Sequence, residues 1–100
     1  MRPSTAIDEK REIVRATVCR YRTANPRVFG SVLKGSDAEG SDLDLLVEME
    51  TGASLFGVAG FCYETEKLLG IRVDVVPASV LPGVQDREFV KRIQKQAVAL

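Results

Sequence analysis

Apolar residues recur at helical spacing in three stretches of the chain and gather in three shorter runs between them. In the first stretch Ile13, Val14, Val18 and Tyr21 fall on one stripe, with Asp8, Glu9, Lys10, Arg11, Arg15 and Arg20 largely off it. Pro3 breaks the chain ahead of this helix, and Thr5 with Asp8 reads as a capping box. Pro26 disfavours helical geometry in the residue before it, so the helix is predicted to stop near Asn25. A short apolar burst, Arg27-Val28-Phe29, then runs into Gly30-Ser31 as a strand ending in a tight turn. From Gly35 to Ser41 little can be buried, and the segment reads as a loop.

Asp42 to Glu48 reads as a second strand, alternating at its start and closed by Thr51-Gly52. Leu55, Ala59, Cys62 and Leu69 mark a helix that Gly70 terminates. Ile71 to Val76 makes a third strand ended by Pro77, and Phe89, Ile93, Ala97 and Leu100 define a closing helix. The predicted order is α-β-(short α)-β-α-β-α, an α/β arrangement in which helices cover one or both faces of a small sheet.

Composition narrows the chemistry. A length of 100 residues suits one domain with one modest core, so residues 1–100 are read as a single domain. Fourteen basic residues balance fourteen acidic ones, which leaves no global field to draw the chain toward nucleic acid or anionic lipid. No apolar run is long enough to cross a bilayer and the start does not resemble a signal peptide, so a cytoplasmic setting is expected. Cys19 and Cys62 are then read as reduced, buried thiols rather than a disulfide. The chain has no histidine, which removes histidine general bases and histidine-rich zinc sites and leaves carboxylates, hydroxyls, amines or a bound metal.

Among the carboxylates, Asp42 and Asp44 stand out. Alternate strand residues point to one face, roughly 6.6–6.8 Å apart along the strand. Leu43, Leu45 and Val47 then face a core. Two carboxylates on one face repel each other and resist desolvation unless a cation joins them. Hard oxygens of this kind suit Mg²⁺, which fills its shell with water and phosphate oxygens. By the same parity Asp74 emerges opposite Val73 and Val75, and neighbouring second and third strands would bring it beside Asp42 and Asp44. At the end of the first strand, Gly30 lets backbone approach a phosphate closely, Ser31 adds a hydroxyl, and Lys34 can meet a phosphate as a point charge.

Each feature also has a plain reading. An Asp-x-Asp pair is often a solvated strand end, and Gly-Ser is a common turn. Asp74 can sit on an exposed face paired with Arg72, and Lys34 can simply be solvated. Their joint order is what carries information: strand, Gly-Ser, loop, Asp-x-Asp strand, helix, strand with a central Asp.

That order, from Gly30-Ser31-Val32-Leu33-Lys34-Gly35 through Ser41-Asp42-Leu43-Asp44-Leu45-Leu46-Val47, resembles the signature of the DNA polymerase β-like nucleotidyltransferase superfamily. The short length and the Val28-Phe29-Gly30-Ser31 lead-in resemble its minimal branch, and Arg72-Val73-Asp74-Val75-Val76 matches the strand bearing that family's third carboxylate. The resemblance implies a small mixed sheet with helices packed mainly on one face. It implies that Gly30 and Ser31 grip a triphosphate, that Asp42 and Asp44 hold metal ions, and that Asp74 completes the site near the acceptor. Where the family more often has Ala-Arg, this chain has Leu33-Lys34, which keeps the charge but loses the bidentate fork.

The implied reaction is two-metal nucleotidyl transfer, with ATP or another NTP as donor and Mg²⁺ as the ion; oxygen ligands leave Mn²⁺ open. The implied partner is a HEPN-domain protein encoded nearby, a toxin-like ribonuclease for which such chains act as antitoxin, in some cases by attaching AMP to a tyrosine. Two other readings stand beside this one: an antitoxin that neutralises by contact alone, and a transferase acting on a small molecule. Phe56, Phe61 and Tyr63 on the middle helix are read first as core on two sides of that helix. Otherwise they form a contact for a partner or for a second copy in a homo-oligomer.

Overall fold

The structure, a computed structural model, describes residues 2–100, apart from the side chain of Leu33. Helix α1 (Pro3–Arg20) leads into strand β1 (Thr23–Phe29), the one-turn helix α2 (Ser31–Lys34) and strand β2 (Leu43–Met49). Helix α3 (Leu55–Leu69), strand β3 (Val73–Pro77), a 3₁₀ segment (Ala78–Gly83), helix α4 (Arg87–Gln96) and strand β4 (Val98–Ala99) complete it. The strands form one mixed sheet in the order β3-β2-β1-β4. Strand β2 is antiparallel to β1 and parallel to β3, while β4 runs antiparallel to β1.

Period-2 alternation on β2 divides the interior. Leu43, Leu45 and Val47 join Ala6, Ile7, Val14, Val18 and Phe61 in the core beneath α1 and α3, as the parity of the strand predicts. Leu46 points the other way, with Phe29, into a smaller cluster closed by Leu81 of the 3₁₀ segment and Val90 and Ile93 of α4. The sheet is thus covered on both faces, more extensively on one.

Several local expectations give way to tertiary contacts. Helix α1 begins at Pro3, whose fixed φ and missing N–H suit the first helical position, rather than after it. No capping box forms at Thr5 and Asp8. The carboxylate that accepts from the first turn is Asp37, whose Oδ2 takes the Ser4 amide at 2.9 Å. The helix stops at Arg20, short of Asn25, because Arg22 turns the chain at positive φ and β2 recruits residues from Thr23 onward as a strand. Asn25 and Pro26 fall at an irregularity of that strand. The buried stripe of α1 is Ala6, Ile7, Val14, Thr17 and Val18, and Ile13 is 49% exposed.

On α3 Leu69 and the half-buried Cys62 pack inward as predicted, whereas Leu55 and Ala59 are exposed and Val58, Phe61 and Thr65 complete the buried stripe. Here the residue that ends α1 approaches closely: a side chain at Gly60 would meet the Tyr21 ring at 2.6 Å. Gly70, in the left-handed region, ends the helix as expected. Of the three aromatics, only Phe61 is core; Phe56 is 91% and Tyr63 63% exposed.

The last predicted helix is also shorter. Helix α4 ends at Gln96, Ala97 turns extended, and Val98–Ala99 pair with β1. The Leu100 amide then donates to Pro26 O at 3.0 Å. Ile93 and Leu100 lie in clusters on opposite faces of the sheet, which one helical stripe could not achieve. Both cysteines are free, although Cys19 is exposed rather than buried. No helix among the described residues is long and apolar enough to cross a membrane.

Candidate active site

Strand register brings the candidate acids together. In the parallel β2–β3 pairing Asp44 is the partner of Asp74, one step along from Leu43 and Val73. The antiparallel pairing on the other side sets Phe29, the residue before Gly30, against Asp44. Because Leu43, Leu45, Val73 and Val75 pack toward α1 and α3, Asp44 and Asp74 emerge on the α4 side of the sheet. The acids therefore lie beyond the end of β1, next to the Gly30-Ser31 turn.

Gly30 is where backbone and carboxylate meet. Its φ of 78° and ψ of −147° lie in a region essentially reserved for glycine. A Cβ built there would stand 2.2 Å from Asp44 Oδ2. The absent side chain is what allows the turn into α2 to lie against the Asp44 carboxylate. Ser31 opens α2, and Lys34, exposed, closes it.

The three acids also interact electrostatically. The Asp44 carboxyl is pushed up to about 6, first by its own burial and then by the negative charges of Asp74 and Asp42. Asp42 carries a different constraint. Arg72 Nε lies 3.1 Å from its Oδ1, an ion pair without hydrogen-bond alignment, so this buried oxygen accepts no hydrogen bond. Arg72 thus serves Asp42, not Asp74. Among the described residues no three acidic, cysteine or histidine side chains already stand at metal-ligand spacing. The donor set nonetheless has the chemistry of a divalent oxygen site: Asp44 and Asp74 from adjacent strands and Asp42 just before β2, one partly desolvated and one with a buried oxygen that accepts no hydrogen bond.

Two features here carry no local sequence signal. Asp37, in the loop between Ser31 and Asp42, is buried, accepts from the Ser4 amide and pairs with Arg2 at 3.3 Å. These contacts hold its carboxyl below the usual aspartate range, the Ser4 amide contributing most. The loop joining the two motifs is thereby fastened to the start of α1. The second is a cleft of about 140 Å³ that runs from Phe29, Gly30 and Lys34 to Phe89, Arg92 and Gln96 of α4. Only the packing of α4 on this face brings those residues to the site.

The Gly-Ser turn thus abuts the Asp-x-Asp segment, with Asp74 in register beside Asp44, the order whose resemblance the sequence carries. Over residues 10–100 the chain matches the nucleotidyltransferase domain family; it belongs to that family and is a nucleotidyltransferase. It is 35% identical over 79 residues to a provisionally named protein adenylyltransferase of Methanocaldococcus jannaschii, covering 78% of this chain and 84% of the relative. With the protein adenylyltransferase MntA of Thermococcus cleftensis it shares 44% identity over 62 residues, 62% of this chain and 63% of that one. A solved structure provisionally described as a minimal nucleotidyltransferase superimposes with a TM-score of 0.80 at 36% identity, over 97% of this chain and 95% of the other. A toxin-antitoxin crystal structure with AMP-PNP shares the fold, with a TM-score of 0.66 at 14% identity over 97% of this chain and 71% of that chain.

Proposed function

We propose that this chain transfers the NMP of a nucleoside triphosphate, with ATP as the donor, onto a hydroxyl of a partner protein in a divalent-metal-dependent reaction. The observation that carries this reading is the Asp44–Asp74 register beside Gly30. Gly30 and Ser31 approach the phosphates with backbone and hydroxyl, and Lys34 adds positive charge. Asp42, Asp44 and Asp74 hold the ion or ions, Mg²⁺ by hardness of ligand. A bound pair would stabilise charge on both the entering and the leaving oxygens. The acceptor oxygen bonds to the α-phosphorus as the bond to the β-phosphate bridging oxygen breaks, and pyrophosphate leaves. Asp74, the most exposed of the three acids, orients the acceptor hydroxyl and takes its proton.

AMP and a protein acceptor are favoured because the two relatives above are named protein adenylyltransferases. The superfamily resemblance points to a HEPN-type toxin as the partner, met in the cytoplasm. Incubation with α-labelled ATP, Mg²⁺ and the neighbouring gene product should label that product. The Asp42→Ala/Asp44→Ala variant should not, and equal labelling by both would remove the reading. A second reading, neutralisation by contact alone, draws on the exposed Leu55, Phe56 and Tyr63 of α3. It requires that the double-Asp variant still suppress the partner in cells.

A further inference from the structure

The cleft beside Gly30 has an unusual charge balance. Lys34 enters it from α2 and Arg92 from α4, and no carboxylate lines it. Neither cation is ion-paired among the described residues. Beneath them the lining is apolar, with Phe29 and Ile93 both buried in the smaller core cluster. Two cations lining one cleft over a low-dielectric floor repel in the free protein and gain from a shared anion. The larger cleft, about 240 Å³ on the α1 side, offers no such demand, because its charged residues, Asp8 and Arg11, pair with each other at 2.8 Å.

Continuity with the carboxylates points to the anion. Gly30 belongs to the cleft and also abuts Asp44 Oδ2, so the cleft that holds Lys34 and Arg92 adjoins the carboxylates. Lysine at position 34 supplies a point charge without a planar fork, and an arginine from α4 supplies one in the same cleft. We infer that Arg92 is a substrate-binding residue that grips the terminal phosphates of the nucleotide together with Lys34. This rests on the nucleotidyl-transfer reading above. Helix α4 then does more than cover the sheet: it closes the triphosphate end of the site.

Calorimetric titration of ATP, ADP, AMP and inorganic tripolyphosphate in Mg²⁺ buffer tests the assignment without any turnover. For Arg92→Gln the affinity for ATP and tripolyphosphate should fall about tenfold or more, the loss of one charge-assisted contact. ADP should lose less and AMP almost nothing. Arg92→Lys should recover part of the loss, and Lys95→Gln, outside the cleft, should behave as wild type. Thermal melts check that each variant is folded. ATP binding by Arg92→Gln within twofold of wild type overturns the inference, and so does an equal loss for AMP and ATP, which would put Arg92 at the base. If wild type binds tripolyphosphate through Arg92 but no nucleotide, the anion site stands and the transfer reading fails. If wild type binds none of the four, both fail.

Discussion

Replacing Gly30 by alanine separates two reasons for a glycine at this turn. The first is conformational: at φ 78° and ψ −147° a residue with a Cβ is strained by about 1–3 kcal/mol. The second is the Asp44 carboxylate, whose Oδ2 lies 2.2 Å from where that Cβ would be. Strand β2 cannot shift to make room, because Leu43 and Leu45 on either side are fully buried. Asp44 must instead rotate off its rotamer, at about 0.5–1.5 kcal/mol, and stay near the charges of Asp42 and Asp74. Together these cost about 2–4 kcal/mol, a fall in Tm of roughly 10–20 °C for a domain of this size. Thermal unfolding by circular dichroism in chelator at neutral pH measures it. In an Asp44→Ala background the same Gly30→Ala change should cost about 1 kcal/mol less, since only the backbone part remains. Equal costs in the two backgrounds would show that Asp44 is not what excludes a side chain at 30. A fall of less than about 2 °C in wild type would show that the backbone relaxes freely.

Asp44→Asn should stabilise the metal-free protein at neutral pH. The folded carboxyl titrates near 6, above its ordinary 3.8, so the folded state holds the extra proton between those values and stability falls as pH rises through them. The variant's advantage should therefore be absent below about pH 4, open between pH 4 and 6, and persist above at on the order of 1 kcal/mol after solvent screening; a wild type that gains on the variant over that range in chelator-buffered urea melts contradicts it. Asp37→Asn has the opposite sign. The Asp37 carboxyl is held low by Ser4 and Arg2, so the loss of Tm should be full at neutral pH and shrink as acid protonates the wild-type group; a loss independent of pH would assign the effect to packing instead. Phe61→Ala, at a fully buried position facing β2, should cost about 3–5 kcal/mol in urea unfolding, whereas Phe56→Ala, exposed on the same helix, should stay within about 0.5 kcal/mol.

What could be read from the sequence, and what could not, follows the range of the physics involved. That Asp44 and Asp74 share one face was legible because strand parity is a local rule: apolar neighbours at 43, 45, 73 and 75 leave them only one face to occupy. The ends of α1 and α4 were misread for the same local reason. Pro3 looked like a breaker although it suits a first helical turn, and Ala97 and Leu100 fell on a helical period although the free edge of β1 claims them. On α3 Cys62 and Leu69 were placed inward correctly, but Leu55 and Ala59 are apolar without being inward; contact with α1 and the sheet is what selects Phe61. Asp37 and Arg92 lay beyond such rules altogether. An aspartate in a polar loop and an arginine on an amphipathic helix are ordinary by themselves, and each gains its role from a partner distant in sequence: the amide of Ser4 for one, the cleft shared with Gly30 and Lys34 for the other. Departure from the family pattern at Lys34 was the one visible hint. Lysine holds a phosphate as a point charge, and a planar fork from another element adds the bidentate contact it lacks. Arg92 stands on the one helix packed over that face of the sheet.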